Sequence, residues 1–524
     1  MKLFKVISLC LCLIFLLIGC GSEATVNNNE NIIDTDNITT EVQDVVESGG
    51  AINLSMRNPS TLNPLLNSDA SVDRVLNLIF EPLFMLDENQ NVIGNIAESY
   101  ALSNNGKKMT IKLNGDYHWS DGNSVTARDV VYSLDTIKNA PTDSIYKFVT
   151  AGMSNYYTLD NRTVVIEYSE AFGGCEYNLC FPIIPRHYYK NKTDSNNVMP
   201  MGNGSYKVAD YRMVRYLTLI SDENSKEVPN IKRVNVYIIP DAQTDMEAFE
   251  HGITDVLVTD LSSLGRYNSS ENISVTTYNS NQFEFLGFNH SLPVFANKGV
   301  RQAIAFGIPM DNIVENIYVG EATESLTPVN PNSVLYSKTG VEEYAYNPEL
   351  AEGMLNSTGI DFSAQTFTIM VNEENTERVE IASLIANALA QVGMNVEVER
   401  VSFDTYLSRL NNSDFQMFIG GIEFKDRVEL SSFLSTGGSV NYFKYSDSQM
   451  NTLIDSCYYA TDAQSYKKSI NGLQKYFAQE LPCIGIGFKS KVLLTNSKFK
   501  GDKQPILHFP YANMDKWYIS VATN

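Results

Sequence analysis

The stretch from Thr366 to Val401 leaves little freedom in how it can fold. Thr366 to Val371 is a run of β-branched and bulky apolar residues, the composition of a strand. Glu377 to Val392 then sets Ile381, Leu384, Ile385, Ala388, Leu389 and Val392 at three-and-four spacing, the period of a helix with one apolar face. Gly393 supplies a residue that tolerates the left-handed conformation in which helices end. Met394 to Val401 alternates like a second strand. Strand, helix, strand over this length predicts a βαβ unit, with parallel neighbouring strands and a helix laid across them. The expected fold class is therefore α/β.

A short helix near Thr405 to Asn411 and a further apolar strand, Phe415 to Gly421, extend the unit. Beyond that strand Lys425, Asp426, Arg427 and Glu429 crowd together before the chain turns apolar again at Leu430. In open α/β sheets ligands bind in the crevice outside the carboxyl ends of the strands, and Asp426 lies just past such an end. Residue chemistry leaves two readings open. Asp426 waits at the mouth of a crevice for a cation, or it pairs with Arg427 or Lys425 on a solvated loop, as exposed acids ordinarily do.

At 524 residues the chain exceeds one ordinary core, and two or three domains are expected. Val125 to Asn139 carries a helix start, with Thr126 as N-cap and Asp129 reaching back to it. Asn347-Pro348 opens another helix, with Gly359 at its end. The 39 basic and 61 acidic residues give a net charge of −22, which repels nucleic acid and anionic membrane surfaces and argues against both as partners. Catalytic signatures are missing: there is no HExxH and no GxSxG elbow, and Gly202-Asn-Gly-Ser lacks the Lys-Ser/Thr ending of a phosphate loop. The five histidines are scattered, which gives zinc no cluster of ligands. Asp87, Asn89, Asn91 and Glu98 match four calcium-loop positions, but Val92 stands where the loop needs glycine, so a hairpin turn is expected. No enzyme activity, metal or cofactor is assigned.

The N-terminus points to export. Lys2 and Lys5 precede Val6 to Ile18, an apolar run of 13 residues, too short for the roughly 20 that a membrane-spanning helix needs. Leu17-Ile18-Gly19-Cys20 resembles the bacterial lipobox, which implies cleavage before Cys20 and a diacylglycerol on its thiol. Residues 1–19 are then a signal peptide. Gly21 to Gly50 holds seven acids, no Lys or Arg and no aromatic residue, so residues 20–50 read as a lipidated cysteine and a flexible tether. Cys175, Cys180, Cys457 and Cys483 remain, and their spacing does not choose among the three possible pairings.

Several stretches, in order, resemble one family. Leu78 to Lys138, with IFEPLFMLDENQNVIGNIAESYALS near its start and HWSDGNSVTARDVVYSL near its end, looks like the N-terminal signature of the peptide/nickel-type solute-binding proteins of ABC importers, family 5. Ile183 to Tyr189, Gly202 to Val208, Leu286 to Asn289 with Val300 to Ala303, and Tyr346 to Gly359 follow the same pattern. The resemblance spans Ala51 to Asn524 and implies a two-lobe, periplasmic-binding-protein-like fold of type II with a subdomain inserted in lobe I. Lobe I would comprise 51–86, 188–282 and 491–524, the insert 87–187, and lobe II 283–490. In oligopeptide- and dipeptide-binding members an Asp seven residues before a helix-starting Phe pairs with the ligand's α-ammonium group. Asp426 stands seven before Phe433, and Glu429 also matches an acidic position. Ile422, Glu423 and Phe424 would offer a strand edge to the peptide backbone, and Leu62 to Asp69 a second one. Leu430 replaces a common Pro, and Glu423 a common aromatic residue. The implied protein is a monomeric lipoprotein, anchored on the extracytoplasmic face of the cell membrane, that hands peptides to an ABC permease. The alternative is a sister binding protein for a nickel chelate, haem, a sugar or an opine.

Overall fold

The computed structural model describes residues 46–47, 49–192, 198–260, 265–267 and 270–520. The leader, Cys20 and the tether up to residue 45 lie outside the described residues.

A four-stranded sheet begins the fold, in the order Ala51–Met56, Arg233–Ile238, Tyr216–Ser221, Tyr206–Arg212; only the first pair is parallel. Ile52, Leu54 and Met56 alternate into its core, the period-two burial of a strand with one covered face. Helix Ala70–Leu76 follows, its first turn capped by Asp69, whose carboxylate accepts the Ser71 and Val72 amides. The expected strand edge at Leu62 to Asp69 is instead a set of turns. Asn63 accepts from the Leu65 amide and Asn67 from the Asp69 amide, so these side chains supply the partners that a ladder would.

Residues 87–187 carry a second, antiparallel sheet of Ala97–Ser103, Lys108–Leu113, Thr163–Tyr168 and Met153–Thr158. Helix Ala127–Lys138 lies against it, and its start is the expected box: Asp129 accepts from both the amide and the hydroxyl of Thr126. The calcium-like stretch is the predicted hairpin. Phe84–Leu86 pairs antiparallel with Val92–Gly94, and Asp87 Oδ1 takes the Asn89 and Asn91 amides. One continuous apolar core joins this sheet to the first.

The third sheet runs Val256–Asp260, Cys483–Asn496, Ile273–Phe288, Met417–Glu423, Phe367–Asn372, Val396–Val401, with Ala322–Glu324 on one side. The βαβ unit is as expected: Phe367–Asn372 and Val396–Val401 pair in parallel, helix Thr376–Gln391 connects them, and Gly393 has φ +83°. Helix Pro348–Ser357 starts at Asn347 and is followed by Gly359 at φ +74°. Apolar clusters cover both faces, one of them rich in stacked phenylalanines. Two strands of this sheet, of 16 and 14 residues, run on side by side, and Cys483–Asn496 pairs along its far part with Val256–Asp260. Their mutual register breaks between Asn279 and Phe283. Ser280 and Asn281 are buried in that break, where Asn330 donates to the Ser280 carbonyl and Gln90 to the Asn281 side chain. A buried bulge fixed by amide side chains is a defined bend in two otherwise continuous strands.

Candidate functional site

Strand Met417–Glu423 aims the charged loop at the rest of the molecule. It pairs along Ile273–Phe288, while Phe367–Asn372 pairs it only at Met417 and Phe418, so the far part of its other edge meets no strand among the described residues. Ile422 lies opposite Phe283 in that ladder, and the Phe424 amide continues it by donating to the Asn281 carbonyl. The loop is then tied down by Phe433, which is buried among Phe283, Phe285, Phe424 and Phe443.

The charges in and beside this loop do not neutralise one another. Arg427, 7% exposed, donates from Nε to the Gly173 carbonyl at 2.8 Å and lies over the rings of Phe172 and Tyr458 at 4.1 and 4.9 Å. Its charge is met by π faces and a carbonyl, and it bridges the insert to the third sheet. Lys425 sits 5.5 Å above Phe148. Glu423 is exposed and 3.6 Å from Lys491. Glu429 accepts the Ser431 amide, capping the short helix Ser431–Leu434. Asp426 pairs with neither Arg427 nor Lys425: its Oδ1 lies 2.9 Å from Nε2 of His508, 82 residues further on. The solvated-loop reading is therefore excluded, for the Asp426 side chain keeps 9% of its surface.

Asp426 and His508 line a cavity of about 60 Å³ whose walls are otherwise mostly apolar, including Pro82, Phe84, Leu86, Ile506 and Phe509. Met85, Leu86, Ile506 and Leu507 also line a larger cavity of about 640 Å³. Its other walls are the Asp87–Gln90 turn, Thr276 to Asn279 on the long strand, and Lys503 to Leu507. That volume falls within the roughly 300–1,000 Å³ of small-molecule sites. Lys503 is the one cation among the described residues that line it; burial, then Lys500, pushes the pKa of its amine down.

Behind His508 stands a second carboxylate. Asp73, on helix Ala70–Leu76, is buried and receives the Tyr146 hydroxyl at 3.1 Å and an Asn77 amide at 3.2 Å. Burial pushes its pKa up to about 6, with the Tyr146 hydrogen bond and the His508 charge pulling the other way. A carboxyl raised this way binds its proton in the folded state while the unfolded chain is ionised, so it costs stability as pH rises from about 4 to about 6. Asp73→Asn is expected to flatten that part of the stability profile in urea titrations from pH 4 to 7, by on the order of 3 kcal/mol. An unchanged profile would remove Asp73 as its source.

His508, Asp73 and Tyr146 escape sequence reasoning because they lie in unrelated segments and share no spacing; only the fold brings them to Asp426. All four cysteines outside the leader and Cys20 are free thiols, raised in pKa by burial. Among the described residues no helix is long and apolar enough to cross a membrane.

The profile of a family described as bacterial extracellular solute-binding proteins, family 5 (middle region), matches residues 91–441, more than half the chain. The oligopeptide-binding protein AppA of Bacillus subtilis (strain 168) is 23% identical over 510 residues, covering 90% of this chain and 92% of that protein. Among solved structures, the ABC transporter substrate-binding protein CtaP of Listeria monocytogenes superposes with a TM-score of 0.77 at 20% identity, covering 91% of this chain and 100% of the other. The structure of B. subtilis AppA in complex with a nonapeptide does so with a TM-score of 0.62 at 21% identity and the same coverage.

Proposed function

The chain belongs to the bacterial extracellular solute-binding proteins of family 5, with their two-lobe α/β fold, and from that membership we propose that it captures peptides outside the cytoplasm and delivers them to the membrane permease of an ABC importer. Asp426 carries the reading: a buried carboxylate at the carboxyl end of a sheet strand, facing a crevice and satisfied by one imidazole. A peptide's ammonium group loses its water on entering such a crevice, at a cost of several kcal/mol unless a carboxylate replaces it. Asp426 supplies that charge and its hydrogen bonds. The open edge beyond Phe418 offers main-chain partners that ignore side-chain identity, which suits an importer of mixed peptides.

Lobe I is 51–86, 188–282 and 491–524, carrying the insert 87–187, and lobe II is 283–490. The chain crosses between lobes within the two long strands, and the bulge at Asn279 to Phe283 is where they flex on closure. Residues 1–19 are removed, Cys20 is lipidated, and the protein stands as a monomer on the outer face of the membrane. Cys20→Ser is expected to move it from the membrane fraction to the soluble extracytoplasmic fraction; retention in the membrane would defeat the anchor.

Native mass spectrometry of gently purified protein tests the peptide reading, with co-purified peptides as the expected result. A ligand-free protein that also gives no heat with peptide libraries would overturn it. One observation favours a second reading, a nickel chelate: an imidazole, a metal-ligating group, stands on the cavity wall. Calorimetry with nickel–histidine in parallel with trialanine separates the two.

A further inference from the structure

We propose that His508 is the resident cation of the Asp426 clamp: in the ligand-free protein its imidazole fills the place that a ligand's ammonium group takes, so capture exchanges one cation for another and acid favours the self-paired state. The proposal rests on the peptide reading for the identity of the incoming cation, but the pairing itself is independent of it.

The geometry divides the pair into a fixed and a movable partner. Asp426 is nearly enclosed and its loop is anchored by Phe433 and Arg427. The His508 side chain keeps half its surface open, and Nε2 to Asp426 is the one hydrogen bond its ring makes among the described residues; its backbone is held by Asn77, which donates to the carbonyl at 3.3 Å. The imidazole can therefore turn away without the loop or the carboxylate moving. With the ring in place the cavity beside Asp426 is about 60 Å³, a small fraction of the 640 Å³ of the larger one. Ile506 and Leu507, just before His508, line both this cavity and the larger one, so the segment is the partition between them. Turning the ring out frees the carboxylate.

The charged and titratable groups around the ring set the direction of the pH effect. Asp426 and Lys425 face it from the charged loop, Asp73 from helix Ala70–Leu76, Tyr146 from the insert, and Cys180 across the cavity. Burial pulls the imidazole's pKa down, but the Asp426 charge and hydrogen bond, with Asp73, more than offset this and hold it above its ordinary value. The imidazolium is thus fully formed below that ordinary value, and the pairing weakens as pH rises through the raised one. Asp73 gains a proton near pH 6 and withdraws one negative neighbour in the same window, so an Asp73→Asn background serves as control.

Calorimetry with trialanine at pH 5.5 and 8 tests the exchange. The wild type is expected to bind at least fivefold more weakly at pH 5.5. His508→Gln is expected to change less than twofold, to bind more tightly than wild type at pH 5.5, and to leave the wild-type slope of Asp73→Asn unmatched. At pH 8 the peptide's own amine has lost about half its charge, equally for every variant. Equal slopes in wild type and His508→Gln would overturn the proposal. If trialanine does not bind the wild type at all, the peptide reading fails, and hydrogen exchange of the ligand-free protein decides the pairing. Protection across residues 502–513 that is present at pH 5.5, fades at pH 8 and is lost in His508→Gln and Asp426→Asn supports it; protection indifferent to pH and to both variants overturns it.

Discussion

Asp426→Asn is expected to lower the affinity for a short peptide with a free amino terminus by about 100-fold, roughly 3 kcal/mol, while the same peptide N-acetylated loses less than threefold. The substitution keeps shape and one acceptor oxygen, so the change is one of charge. In the wild type the ammonium exchanges its hydration for a carboxylate whose side chain is 9% exposed, where little solvent screens the pair. In the variant the ammonium meets a neutral amide whose own N–H groups repel it, and the desolvation is left uncompensated. Acetylation removes the charge from the other side and makes the two proteins nearly equivalent. Part of the loss is masked, because the variant also releases His508, which no longer competes. The measured difference is therefore expected to be larger at pH 8 than at pH 5.5. Calorimetry with both peptides, on variants whose melting temperatures are within a few degrees of wild type, gives the four affinities. Equal losses for the free and acetylated peptides would show that Asp426 acts on the loop and not on the ligand.

What the sequence conveyed and what it withheld divide along one physical line. The βαβ unit, the Thr126 box, the Asn347-Pro348 start and the Asp87 hairpin depend on residues within a few turns of one another, and each formed as read. The position of Asp426 past a strand end was legible for the same reason. Its partner was not: His508 lies 82 residues away in a segment with no regular period, and nothing local marks an imidazole that will meet a carboxylate. Arg427 misled by proximity. Its neighbour in sequence was the natural ion-pair partner, yet the ring faces of Phe172 and Tyr458, some 255 and 31 residues away, hold it instead. At Leu62 to Asp69 a strand edge was expected for the peptide backbone, but Asn63 and Asn67 bond their own backbone and turn the chain. The long strands show the same limit, since their bend is set by Asn330 and Gln90 from distant loops.

Removing one partner of the pair Arg378–Glu284 is expected to cost the most stability of any single substitution near the crevice. Glu284 lies on strand Ile273–Phe288 with 2% of its side chain exposed, and Arg378 in the first turn of helix Thr376–Gln391 grips it through Nε at 2.8 Å and Nη2 at 3.0 Å. Burial lowers the guanidinium's pKa, but the charge and hydrogen bonds of Glu284 more than offset that and hold it above its ordinary value. The neighbouring pair Lys489–Glu377 ties the same helix turn to strand Cys483–Asn496. Gly421 completes the arrangement, because a side chain there would collide with both Arg378 and Glu284. Arg378→Met leaves a buried carboxylate with only the Gln282 amide, and a loss of about 3–5 kcal/mol is expected in urea unfolding at pH 7. Glu284→Leu combined with Arg378→Met removes both charges and is expected to recover most of the loss, since a buried pair gains little over apolar residues of similar volume. A double variant no more stable than Arg378→Met would mean that the helix turn, and not the charge, was what the arginine held.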